Sequence, residues 1–240
     1  MQHPGVRFLS PDTDNIAVVT PQMVQAPNSD LISLINEIGS SSSRAQGLPH
    51  IITTFSSFSS SDNILYILVD DTQTRVLGFV KIGPRHLFLW DRYGSQHEMN
   101  PICLLDFFTY QTEQRKGYGR KMIDRVLNDL DLQMQQIPID RPSSLCLSFM
   151  KKHFGLSEYV PQNNKFVVFD QFWKSDFQNY KPSRDSNLNT HRTVSMQQQQ
   201  LTPTRPTMRA TGAANSDAPR QAQTPGRRAG LNPITWLPYD

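Results

Sequence analysis

The stretch QRKGYGR (114–120) sets Gly117 and Gly119 one residue apart, with Arg115, Lys116, Arg120 and the following Lys121 around them. It leaves the mostly apolar run ICLLDFFTY (102–110). It enters KMIDRVLNDL, where Met122, Ile123, Val126, Leu127 and Leu130 recur every three to four residues as one face of a helix. A strand feeding a helix through Gly-x-Gly leaves backbone N–H groups unpaired at the helix start, and glycine lets a ligand approach that backbone closely. The helix dipole and four cations add positive charge. The chemistry suited to such a turn is capture of an anion the size of a pyrophosphate. A Walker loop, G-x-x-x-x-G-K-[ST], is absent, and Met122 stands where a dinucleotide fingerprint needs its third glycine. A tight turn opening a solvated basic helix accounts for the same residues.

The elements that must position this turn read as follows. IAVVT (16–20) is a candidate strand, and SDLISLINEIGS (29–40) a helix capped by Ser29 or Asp30, with Leu31, Leu34, Ile35 and Ile38 on one face and Gly39 as its stop. SSSSRAQGLPH, which carries Gln46, and FSSFSSSDN read as serine-rich connectors. NILYILVD (63–70) and RVLGFVKIG (75–83) predict a hairpin across DTQT, HLFLW (86–90) a further strand, DRYGSQHEMNP a loop, and ICLLDFFTY a central strand. IPID (137–140) is a short strand, SSLCLSFMKKHFG (143–155) a helix closed by Gly155, and KFVVFDQFW (165–173) the last strand. Antiparallel strands followed by strand–helix–strand–helix–strand predict an α/β fold with a mixed sheet, and a parallel right-handed crossover from ICLLDFFTY to IPID.

Residues 1–180 hold 16 Lys+Arg against 18 Asp+Glu, and residues 181–240 hold 8 against 3. The net charge of +3 therefore comes from the tail, so a high pI does not make the folded part a nucleic-acid binder. No run approaches a membrane span, the N-terminus lacks a signal-peptide core, and two cysteines are too few for a disulfide scaffold. These features predict a soluble protein of the reducing cytosol with free thiols. The six histidines have no metal spacing. Residues 1–180 read as one domain. Residues 181–240, with QQQQ and seven of 17 prolines, read as a disordered basic tail.

Together, ICLLDFFTYQTEQRKGYGR, IPIDRPSSLCLSFMKKHFGL and VPQNNKFVVFDQF resemble the α-tubulin N-acetyltransferase family of the GNAT superfamily, and INEIGSSSSRAQ resembles its N-terminal helix and turn. The likeness covers roughly residues 15–172 and leaves the tail unmatched. It implies a GNAT fold, acetyl-CoA as co-substrate without a metal, and direct acetyl transfer to a luminal lysine of α-tubulin. It further implies α-tubulin and microtubules as partners, no nucleic acid or membrane, a monomer, and a place in the cytoplasm on the cytoskeleton, cilia and axonemes included. Two other readings stand beside it: a GNAT acting on another protein amine, and a catalytically silent microtubule-binding module.

Transfer to lysine requires a neutral amine, and deprotonation from a pKa near 10.4 costs about 4.6 kcal/mol at pH 7, so a base and a donor for the developing oxyanion are needed. Asp140 is the first candidate base; helix capping is its ordinary alternative. Cys103, flanked by Ile102, Leu104 and Leu105, reads as a small core residue, yet the resemblance implicates it in proton transfer. Gln46 matches a family glutamine at the active site. For the cofactor, the resemblance points to Phe107, Phe108, Thr109, Gln114, Arg115, Lys116, Gly117, Tyr118, Gly119 and Arg120, then Ser143, Ser144, Lys151 and Lys152. Leu145 departs from a lysine common in the family, and Cys146 on an apolar helix face reads as core.

Overall fold

The computed structural model describes residues 1–24 and 28–174. The chain divides into two units, Met1–Asn187 and Leu188–Asp240. The second unit, and with it the expectation of a disordered tail, lies outside the described residues.

Seven strands form a mixed sheet in the order β1 (Ile16–Val19), β2 (Ile64–Val69), β3 (Val76–Pro84), β6 (Ile102–Thr109), β7 (Ile139–Asp140), β9 (Phe166–Phe169), β8 (Tyr159–Pro161). Neighbours are antiparallel except β6 and β7, which run parallel through the single register pair Leu104–Ile139. The strand with few charges is the middle one, as its composition requires: both its faces are covered. On one face α3 (Tyr118–Leu130) and α4 (Ser144–Phe154) bury Met122, Ile123, Val126 and Met150 against Leu77, Val80, Leu104 and Ile139. On the other, α1 (Ser29–Ala45) and the short α2 (Phe55–Ser59) bury Leu34, Ile35, Ile38 and Phe58 against Leu65, Ile67, Phe79 and Phe108. Three apolar clusters thus sandwich the sheet, the third joining Leu87, Leu89, Cys103, Leu105, Phe166 and Val168.

Several expectations need correction. Gly39 does not stop the first helix, which runs to Ala45 and is capped by the Asn28 side chain accepting from the Asp30 amide. Gly39 instead lets the helix lie on the segment before α2: a Cβ there would sit 1.7 Å from the Thr53 carbonyl oxygen. The serines after it are helical because Ser42 and Ser43 are buried on the same face, where packing overrides their weak propensity. The second serine-rich connector contains α2, started by a Thr54–Ser57 capping box. DRYGSQHEMNP is not all loop. Its Gln96–Met99 segment is β5, which pairs with β4 (Leu87–Trp90) in a separate two-stranded sheet. β3 continues through Pro84, Tyr159–Pro161 adds the strand β8, and the last strand ends at Phe169, where the chain tightens into a 3-10 turn.

Candidate active site

The geometry of the site begins with a bulge. Lys81 of β3 opposes Asp106, and Ile82 opposes Leu104, so Leu105 has no partner across the ladder. One extra residue slips the alternation of faces. Leu104 and Phe107 pack on the α3 side, whereas Asp106 and Phe108 turn to the α1 side. β6 runs on to Thr109, while β7 stops at Asp140. The two strands therefore part just beyond their one register pair, beside the start of α3.

A cavity opens at this parting. Its floor is Leu104 to Phe107; one wall is Gln46, Leu48 and Ile52, and the other is Ile139 to Ser143 with Cys146. Gln46 and Asp140, distant in sequence, both line it. Asp106, not singled out as a site residue, joins them. The residue is only 4% exposed. It accepts from Ser42 Oγ (2.7 Å) and Gln46 Nε2 (3.1 Å) at Oδ1, and from Thr53 Oγ1 (2.5 Å) at Oδ2. The available signal was a charge in an otherwise apolar central strand. Beside it Lys81, 6% exposed, donates from Nζ to the Ile52 carbonyl (2.6 Å). Burial pulls the Lys81 ammonium down to about 8, against the pull of Asp106 in the other direction.

Asp140 is half-held by its neighbour. Arg141 donates Nε to Oδ1 (3.0 Å) and Nη2 to Oδ2 (3.2 Å), and its own backbone is left-handed at φ 42°. That turn points the chain from β7 into α4, and Ser143, not Asp140, caps the helix by accepting from the Cys146 amide. Asp140 is thus free of the capping role that competed with its chemical one.

Cys103 is not brought to the cavity. It is fully buried in the third cluster, and its thiol contacts the Pro101 carbonyl. Burial pushes the thiol up to about 12, against the opposing Arg85 charge and with a smaller push from the Asp140 charge. Cys146 does line the cavity, though burial raises its thiol to about 12 as well.

The glycine turn opens α3 as anticipated. Gly117 sits at φ 86° with open space where a Cβ would go, and the first helical bond is Lys121 N to Gly117 O at 3.0 Å. The amides of Tyr118, Gly119 and Arg120 therefore precede any helical acceptor. Gly119 has a different reason: a Cβ there would meet the Phe107 and Phe149 rings at 3.0 and 3.3 Å. Several side chains in the turn have local partners. Arg120 pairs with Asp124 and donates to the His153 carbonyl (2.6 Å), Lys116 pairs with Glu113, and Gln114 donates to the Thr109 carbonyl. Phe108 lies in the α1-side core. Among the candidates for the cofactor, only Phe107 and Ser143 line the cavity itself; Thr109, Arg115, Tyr118, Ser144, Lys151 and Lys152 lie outside it. Leu145 is 72% exposed at the start of α4. Among the described residues, no cluster of three or more His, Cys, Asp or Glu is placed to hold a metal ion, and no helix is long and apolar enough to cross a membrane.

A mixed sheet that parts beside a glycine-opened helix is the architecture of the GNAT class. Within that class the chain belongs to the family described as GNAT acetyltransferase, Mec-17, whose model matches residues 8–201. Proteins similar to it include an alpha-tubulin N-acetyltransferase of Tetrahymena thermophila, 36% identical over 60% of this chain and 35% of the relative. Another from Anopheles gambiae is 38% identical over 61% and 31%, and alpha-tubulin N-acetyltransferase 1 of Danio rerio is 39% identical over 62% and 52%. The chain spans about a third to a half of the length of these relatives. Among solved structures, the tetramutant of the BH1408 protein from Bacillus halodurans covers 62% of this chain and 95% of its own. Its identity is 12% and its TM-score 0.39, too loose to carry anything further.

Proposed function

We propose that residues 1–180 form an acetyl-CoA:α-tubulin lysine N-acetyltransferase, acting as a monomer on microtubules in the cytoplasm, with residues 181–240 as a separate basic tail. The observation that carries this reading is the cavity where β6 and β7 part, which joins Gln46, Asp106 and Asp140 beside the start of α3. The fit to acetyl-CoA rests on two features. The amides of Tyr118 to Arg120 lie before the first helical bond, and the Leu105–Phe108 edge of β6, which β7 does not pair, offers peptide groups to an amide-bearing arm. Bound there, the thioester supplies the acetyl group.

The protein's own residues do the rest. Asp140 accepts the proton of the incoming ammonium directly or through water, which keeps an amine neutral long enough to attack. Its Arg141 partner holds the carboxylate at the rim, each oxygen keeping a lone pair. The ladder break at Leu105 frees main-chain groups near the acetyl position, where an N–H donor would stabilise the oxyanion. Attack in a ternary complex needs no acyl-enzyme, and the buried thiols offer no ready nucleophile. The acceptor is the luminal lysine of α-tubulin. Purified protein is incubated with labelled acetyl-CoA and either assembled microtubules or free tubulin, and transfer is scored by mass spectrometry at each lysine. Label on one α-tubulin lysine supports the reading; label on neither substrate ends it.

A further inference from the structure

Gln46 ends α1 with a flexible side chain at the edge of a cavity, a poor arrangement for an oriented group unless something holds it. Three hydrogen bonds do. Asp106 can only accept, so the Ser42 hydroxyl must donate its single proton to Oδ1 (2.7 Å). That leaves Ser42 Oγ an acceptor, and Gln46 Nε2 fills it at 2.8 Å while reaching Asp106 Oδ1 at 3.1 Å. Both amide protons are therefore committed inward, and the amide cannot flip without setting its carbonyl against a carboxylate. Oε1 is the end left for the cavity, and among the described residues it accepts no hydrogen bond.

We infer that Asp106 is a positioning residue: through Ser42 it fixes the polarity of the Gln46 amide, so that Oε1 faces the cavity as the acceptor for an N–H of the incoming lysine. The inference rests on the transferase reading above. It deepens that reading by assigning orientation of the group that receives the acceptor amine to a buried carboxylate acting through Gln46. The bulge at Leu105 is what places Asp106 on this face. Thr53 bonds the other oxygen and holds the carboxylate rather than the amide.

The test is a double-mutant cycle on the full chain. Asp106→Asn removes the fixed acceptor, and Gln46→Glu sets two carboxylates against each other; each should raise KM for the tubulin acceptor about tenfold, the scale of one charge-assisted hydrogen bond. KM for acetyl-CoA should stay within about twofold. Combined, the introduced amide donates to the introduced carboxylate with polarity reversed, and acceptor KM should fall below that of either single variant. Effects that multiply, or an acetyl-CoA KM that moves as far as the acceptor KM, overturn the inference. Ser42→Ala should reproduce the KM effect, whereas Thr53→Val should lower stability with a several-fold smaller one. A second arm does not need activity. In nitrogen-edited NMR of the wild type the Gln46 side-chain amide protons should be split and slow to exchange, and Ser42→Ala should release them. Freely exchanging protons in the wild type sink the inference whatever the assay shows. An inactive wild type with slowly exchanging protons sinks only the transferase reading.

Discussion

The two walls of the cavity are built on opposite principles. The α1 wall hangs on buried polar groups: Asp106 with three donors, and Lys81 holding the Ile52 carbonyl. The α4 wall is anchored by backbone pairing of β7 and of the Arg141 amide, and its polar side chains lie toward solvent: one Asp140–Arg141 ion pair, a left-handed residue and a helix cap, with Leu145 72% exposed. In a low-dielectric interior a satisfied carboxylate fixes its donors in place, because any unpaired alternative is costly. An exposed ion pair contributes little to stability and can exchange partners with water or substrate. One wall is suited to orientation, the other to proton traffic.

The sharpest way to break this contrast is Asp140→Asn. Turnover on microtubules should fall by about 100- to 1,000-fold, the range of a lost general base, while calorimetry finds acetyl-CoA affinity retained. An equal loss of affinity would make the residue structural. Gly39→Ala comes next and probes the rigid wall. Its Cβ would collide with the Thr53 carbonyl, so denaturant unfolding should show a loss of about 3 kcal/mol or more. Leu145→Lys on the other wall should change stability by less than about 0.5 kcal/mol.

Gly117→Ala meets no atoms but must hold φ 86°, which costs about 1–2 kcal/mol. It should weaken acetyl-CoA binding by up to about tenfold, with turnover at saturation preserved. A smaller effect comes from Lys81. Its folded pKa of about 8 lies below the ordinary 10.5, so between those values the unfolded chain binds more protons and stability rises with pH. The burden is full below pH 8 and relieved by about 10.5. Lys81→Met should flatten that slope, which is at most about 1.4 kcal/mol per pH unit. Cys103→Ala should do least to the chemistry. With the thiol buried and raised to about 12, the basic limb of the pH–rate profile should coincide with the wild type. A shifted limb would return the thiol to the proton path.

How legible this was depended on how local each cause is. The α3 face, Gly117 at its start, Gly155 at the end of α4 and the Ser143 helix are written in adjacent residues, and the structure has each of them where the sequence places it. Gly39 reads locally as a helix stop because its neighbour in space, Thr53, is fourteen residues away. The helical serines read as a connector for the same reason, and β5 reads as loop because Gln96–Met99 alternates only between half-buried and exposed positions.

By itself the sequence determined the strand–turn–helix unit, the mixed sheet and the residues that could do chemistry, since periodicity, glycine and capping act over a few residues. Only the tertiary structure decided that Asp106 turns toward α1, that Arg120 is tied to Asp124 and His153, and that Cys103 is sealed in the core. Those outcomes depend on one unpaired residue in a ladder and on partners from separate elements. No local pattern encodes them, because the energies that fix them arise only when distant segments exclude water together.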